Sequence, residues 1–194
     1  KATEYARSVK AKMVVWKELP AHYREACDTL VQNGFCRVPS MPMVSLDVAH
    51  KSCDEFMQQA LRANARRHLK KNLAATGKMN IRMEVTTDAS AIVDEIHRLY
   101  LQVFEKSEFR FEKLTPEFFR RLGEQMGDKV RFFTWRHDGE LIACSMSMVE
   151  NRTLYLEYLG LDYSIAFDLH LYHYTFRAQY IWAVQNGRTK LCAS

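Results

Sequence analysis

Glycine and proline are scarce, at 7 and 4 of 194 residues. That excludes collagen-like and low-complexity architectures. The five cysteines, Cys27, Cys36, Cys53, Cys144 and Cys192, include no C-x-x-C pair, and their number is odd. A disulfide framework and a zinc ribbon are both disfavoured by that pattern. Reduced, mostly buried thiols in a cytoplasmic setting are expected instead. None has a sequence-adjacent His or Lys to activate it, so no cysteine nucleophile is assigned. No uncharged stretch approaches the ~20 residues that cross a bilayer, and no apolar leader stands at the start. The sequence opens on Lys1 rather than Met and ends on Ser194 inside a predicted strand. The chain therefore reads as cut at both ends.

What is present is ordinary for a globular domain. Hydrophobic residues make up 47% and charged residues 26%, enough for one real core without disulfide staples. Charge is uneven. Residues 1–80 hold 14 Lys and Arg against 7 Asp and Glu, and residues 81–194 hold 14 against 16. The positive excess is thus N-terminal and concentrates between Arg62 and Lys71.

Hydrophobic periodicity divides the chain into elements. Residues 12–16 (K-M-V-V-W) read as a strand. Residues 21–32 read as a helix with Pro20 in its first turn, closed by Asn33-Gly34. Residues 35–47 read as extended chain interrupted by Pro39 and Pro42. A long helix is predicted from Ser52 or Asp54 to about Ala75. Met57, Ala60, Leu61, Ala65, His68, Leu69 and Leu73 fall near one face of it, and the basic side chains fall on the rest. Alternation predicts a strand over 80–86, followed by a helix over 91–104. A polar and aromatic loop covers 105–111. Thr115-Pro116-Glu117 opens a second helix. Three strands, 130–136, 141–149 and 153–161, are joined by Asp138-Gly139 and by a turn at Asn151, which is a meander. A helix over 168–185 ends at Asn186-Gly187, and one more strand begins at Thr189. The layout is α+β, with helices on a mixed, mostly antiparallel sheet.

This order of elements resembles the GNAT acyltransferase superfamily, in the branch of the Fem-type peptidoglycan aminoacyltransferases and the cellulose-biosynthesis acetyltransferase domains. The matching pieces are the basic helix with Ala65-Arg66-Arg67-His68-Leu69-Lys70-Lys71, Leu99-Tyr100 and Phe104-Glu105-Lys106-Ser107. Phe132-Phe133 through Asp138-Gly139-Glu140-Leu141-Ile142-Ala143, Leu171-Tyr172, and residues 183–187 complete the set. The resemblance implies that residues 54–194 are an acyltransferase-like domain lacking its C-terminal end. Residues 1–53 would be the tail of a preceding unit of the same kind. It implies bacterial origin and an acyl or aminoacyl group moved from acyl-CoA or aminoacyl-tRNA to an amine. The acceptor would be a small-molecule or cell-envelope amine, and the basic helix 62–71 offers a surface for tRNA. One departure stands out. Coenzyme A enzymes of this superfamily carry a glycine-rich turn after the fourth strand, whose amides hold pyrophosphate. Residues 160–168 here have no glycine pair and two carboxylates, Asp162 and Asp168.

Acyl transfer to an amine needs a base, a polarised carbonyl and a protonated leaving group. Glu157 is the one acidic residue in the strand 153–161 and is the catalytic candidate, with Tyr172 on the next helix as the second. Solvent exposure or pairing with an arginine is the competing reading of Glu157. Tyr158, Leu159, Gly160 and Leu161 are the candidate donor-binding residues of that strand. Glu105, Lys106, Ser107, Arg110 and Tyr155 are the candidate acceptor-side residues. Strict alternation puts Tyr155 and Tyr158 on opposite faces. His170 and His173 share a helical face with no matching third ligand, so no metal is assigned. A non-catalytic module of the same fold, without a complete donor site, is the alternative function. An RNA-binding domain acting through the basic helix is a third.

Overall fold

A computed structural model describes the chain except for residues 17, 18, 20, 40–42, 109, 111 and 194, and the side chain of residue 75. Pro20, Pro42, Phe111 and Ser194, which figure in the sequence reading, lie outside the described residues.

Residues 1–43 form one compact unit and residues 44–193 another. The first holds α1 (Ala2–Ser8), a 3₁₀ turn (Ala21–Tyr23) and α2 (Asp28–Gln32), and none of these buries a residue. Helices this short draw their stability from a packed face, and Cys27 and Leu30 of this unit are only half-buried. The helix expected over 21–32 is accordingly reduced to the 3₁₀ turn and α2. Residues 12–16 are not a strand. Met13, Val15 and Trp16 are exposed, and a strand without a paired ladder leaves its backbone groups to water.

The second unit is built on a six-stranded sheet. Its strands are β1 (Val44–Asp47), β2 (Ile81–Thr86), β3 (Val130–His137), β4 (Glu140–Glu150), β5 (Thr153–Leu161) and β6 (Lys190–Ala193), in the order β1-β6-β5-β4-β3-β2. Only β5 and β6 run parallel. Asp138 and Gly139 both take positive φ, 50° and 87°, which is the turn that matches the right-handed twist of a two-residue hairpin.

Each face of the sheet carries its own core. On one face α3 (Cys53–Ala60), α4 (Ala63–Thr76) and α7 (Leu171–Gln185) cover Phe133, Trp135, Leu154, Leu161 and Leu191. On the other, α5 (Val93–Lys106) and α6 (Pro116–Met126) cover Val130, Phe132, Leu141 and Met146. Thr115 caps α6 by accepting from the Phe118 amide at 3.3 Å, with proline at the first position as predicted.

The single long helix predicted from residue 52 is two helices. Ser52 caps α3, but Leu61 adopts an extended conformation (φ −101°, ψ 136°) and ends it. The Arg66 guanidinium donates to the Gln58 carbonyl at 3.0 Å, satisfying one of the acceptors that a helix terminus leaves open. The break lets Leu61 reach the core, while Ala65 and His68, expected on the apolar face, are exposed.

One ion pair ties a helix to the sheet. The Arg136 guanidinium on β3 donates twice to Glu95 on α5, both at 2.9 Å. Hydrogen bonding from Arg136, more than charge alone, holds the Glu95 carboxyl below the usual carboxylate range. A depressed carboxylate contributes stability that is complete above the unfolded pKa of about 4.3 and is lost as pH falls through the folded value. We therefore expect a Glu95→Gln variant to be less stable than wild type in urea at neutral pH. The gap should close as pH drops below about 4. It should be modest, because both side chains are partly exposed. A gap independent of pH would refute the assignment.

Candidate functional site

The site is set by an irregularity in β5. Against β4, Met146 pairs with Tyr158 and Ser147 with Leu156, so Glu157 has no opposite residue. It is the extra residue of a β-bulge in an interior strand. A bulge residue is freed from the pleat and re-aims its neighbours. The pattern of faces flips there. Leu154 and Leu156 lie on the α7 side before the bulge, and Leu159 and Leu161 lie on that same side after it. Tyr155 and Tyr158 oppose Met148 and Met146, two residues apart on one face of β4. The two tyrosines therefore share a face. The expectation from alternation is corrected by the one-residue insertion.

Beneath the bulge, on the α7 side, lies a buried polar triad. The Gln179 amide donates to Ser145 Oγ at 2.9 Å and to Ser147 Oγ at 3.2 Å. The two serines belong to the pairs Ser145–Leu159 and Ser147–Leu156 that bracket Glu157 and Tyr158. Satisfied buried networks of this kind fix local geometry.

On the opposite face Tyr158 is half-buried, and its hydroxyl donates to the Glu112 carboxylate. Burial first, then that hydrogen bond, raises the Tyr158 pKa well above the ordinary phenol value. It is therefore protonated throughout the neutral range. Tyr100 holds the same loop from α5: its hydroxyl donates to the Glu112 carbonyl at 3.0 Å and accepts from the Leu114 amide at 3.2 Å. The loop preceding α6 is thus strapped to β5 immediately after the bulge. Gly160 is buried where α5 crosses β5. A Cβ there would stand 2.8 Å from the Tyr100 amide nitrogen.

Arg110 is engaged locally: it donates to the carbonyls of Ser107, at 3.2 Å, and of Glu105, closing the last turn of α5. Lys106 reaches the segment after β5 instead. Its ammonium sits 4.0 Å from the Tyr163 ring centroid and 5.1 Å from that of Phe167. Tyr172 lies on the first turn of α7, exposed, with its ring edge-on to His173. Leu159 and Leu161 belong to the core on the α7 side. His170 is the left-handed residue before α7, at φ 47°. Among the described residues no group of three His, Cys, Asp or Glu side chains is placed to hold a metal ion. Cys144 is fully buried, and burial pushes its thiol up to about 12, which leaves it inert.

Most amides of the turn after β5 are paired within the fold. Tyr163 donates to Gln102 Oε1 at 3.0 Å and Ser164 to the Asp162 carboxylate at 3.0 Å. Ile165 and Ala166 donate to the Asp162 carbonyl, and Leu171 to the Ala166 carbonyl. These amides are therefore not open to a pyrophosphate, and the turn also carries the Asp162 and Asp168 carboxylates, so it fits that ligand poorly. Glu112 and Gln102 escaped the sequence reading, and Leu99-Tyr100 entered it only as a piece of the resemblance, because each acts across segments distant in the chain.

The FemAB-like family, described as peptidoglycan biosynthesis and recognition, matches residues 20–191. No curated protein matches the chain by sequence. Among solved structures, L-PGS from Bacillus licheniformis superposes with a TM-score of 0.63 at 10% identity, over 97% of this chain and 54% of that one. The C-terminal DUF2156 domain of a protein described as a lysylphosphatidylglycerol synthetase from Agrobacterium fabrum gives 0.53 at 13% identity, over 77% and 44%. An aminoglycoside acetyltransferase from a soil metagenomic sample gives 0.44 at 16% identity, over 59% and 76%. The chain spans about half the length of the first two. At these identities the likeness is one of fold.

Proposed function

The chain belongs to the FemAB-like family, and from that premise we propose that it is an N-acyltransferase unit moving an aminoacyl group from its ester on tRNA to an amine of a cell-envelope precursor. The observation that carries this reading is the bulge at Glu157. It sets Glu157 outside the regular register of an interior strand and re-aims the strand around it. In the proposed reaction the acceptor nitrogen attacks the ester carbonyl and loses a proton to Glu157 as the C–N bond forms. The C–O bond to the RNA ribose then breaks, and the proton leaves with that oxygen. Tyr158, kept neutral and tied to Glu112, holds the strand beside Glu157.

The paired amides of the turn after β5 favour an RNA ester over acyl-coenzyme A as donor. To test this, the protein is given radiolabelled aminoacyl-tRNA or acetyl-coenzyme A, with a synthetic stem peptide bearing a free side-chain amine. Label should reach the peptide from the tRNA. Transfer from acetyl-coenzyme A alone would replace the donor. Transfer from neither, with both bound, would favour the non-catalytic reading.

A further inference from the structure

Two large rings stand out on the surface of the second unit. Phe167 is 68% exposed and Tyr172 62%, and no other Phe, Tyr or Trp among its described residues is exposed. They flank the left-handed His170, just beyond the strand that carries Glu157. Lys106 places its charge against the Phe167 ring, and His173 lies edge-on to Tyr172. Exposed apolar side chains grouped on one surface mark contact sites.

The cationic helix ends at the same place. Thr76, the last residue of α4, donates its hydroxyl to the Leu169 carbonyl, within the turn between the two rings. Backwards from there run Lys71, Lys70, Arg67 and Arg62, all exposed. Lys70 lies only about 9 Å along the axis from Thr76, at 1.5 Å per residue. Not one carboxylate occurs between Glu55 and Glu84 in the sequence. The turn itself is different: Asp168 is exposed and Asp162 is spent on Ser164. Phosphate is therefore repelled from the turn and attracted to the helix, while uncharged aromatic faces are welcome at the turn. A single-stranded nucleic acid presents that combination, with anionic backbone on one side and stackable bases on the other.

We infer that Phe167 and Tyr172, together with the cationic face of α4 docked beside them, form a platform for the unpaired 3′ end of an RNA. Bases stack on the two rings and phosphates track the helix. This deepens the transferase reading above and rests on it, since the donor proposed there carries its ester at such a 3′ end. Tyr172 acts here through its ring, not its hydroxyl.

The test uses a labelled RNA hairpin with a single-stranded 3′ overhang and the same hairpin made blunt, followed by fluorescence anisotropy at increasing salt. The overhang should bind more tightly than the blunt form. Phe167→Ala and Tyr172→Ala should each weaken overhang binding by roughly 5- to 150-fold, with the salt slope unchanged. Tyr172→Phe should bind as wild type. Lys70→Ala combined with Lys71→Ala should reduce the slope of log K against log salt by about 1.4, for two lost contacts to single-stranded phosphates. Equal binding of blunt and overhang forms, or ring variants that bind as wild type, would overturn the platform. So would displacement of the RNA by anionic lipid vesicles in a ring-dependent manner, which would assign the rings to a membrane surface. No amino acid or acceptor is present in this assay. Ring-dependent binding without any transfer would sink the transferase reading and leave the platform standing. Transfer from aminoacyl-tRNA at wild-type kcat/KM in the Phe167→Ala, Tyr172→Ala double variant would do the reverse.

Discussion

Glu157→Gln should reduce kcat for aminoacyl transfer by about 10²- to 10⁴-fold at neutral pH, the range for loss of a general base. KM for either substrate should change far less, because the proton is taken in the transition state. The deficit should shrink as pH rises and more acceptor amine arrives already neutral. Glutamine keeps the length, shape and most hydrogen bonding of the side chain, so the bulge should survive the exchange. Position in the bulge is what makes the experiment informative. Had β5 been regular, Glu157 would share the face of Tyr155 and Leu159 and be fixed by the pleat. As the extra residue it stands outside the β4–β5 register, so the bulge sets its direction. A variant with unchanged kcat at neutral pH would remove Glu157 from the chemistry, and the transferase reading would then need another base.

The parts of this fold that were legible in the sequence are those decided locally. Asp138-Gly139 demanded a turn with positive φ, and both residues adopt it. Thr115-Pro116 and Asn186-Gly187 marked helix ends that the structure keeps within a residue or two. The three meander strands fall where alternation and turn chemistry put them. The failures are decided by partners far away in the chain. The apolar run at 12–16 has strand composition but no ladder to join. The break at Leu61 is accompanied by a bond from Arg66 to the Gln58 carbonyl, which no periodicity records. The bulge is a relation between Glu157 and β4, invisible in β5 alone, and it is the reason two tyrosines changed faces. The candidate site shows the same division. Glu157 stood out as a lone carboxylate in an apolar strand. Glu112 and Gln102 carried no pattern, and the two exposed rings acquire meaning only because α4 ends beside them.

Gly160 is where the fold and the site are most tightly joined. The expected result of Gly160→Ala is a loss of stability near the upper end of the ~1–3 kcal/mol typical of overpacking. Its added Cβ would lie 2.6 Å from Cys144 Sγ, 2.8 Å from the Tyr100 amide nitrogen and 2.9 Å from the Leu99 carbonyl carbon. Two of those three atoms are helix backbone, which has no rotamer to yield. At about 2–4 °C per kcal/mol for a domain of this size, the melting temperature should fall by roughly 5–12 °C. Relief must come from moving α5 away from β5. That displaces Tyr100, whose hydroxyl holds the Glu112 carbonyl, and so loosens the loop that Glu112 ties to Tyr158. Transfer activity should therefore fall even at temperatures where the variant is fully folded. A second variant separates the two kinds of clash. Gly160→Ala with Cys144→Ala removes the sulfur contact and leaves the backbone contacts, so it should recover less than half of the lost stability. Full recovery would mean that the sulfur alone forbids a side chain here. A single variant melting within 2 °C of wild type, a shift worth only about 1 kcal/mol or less, would show that α5 does not cross β5 as closely as described.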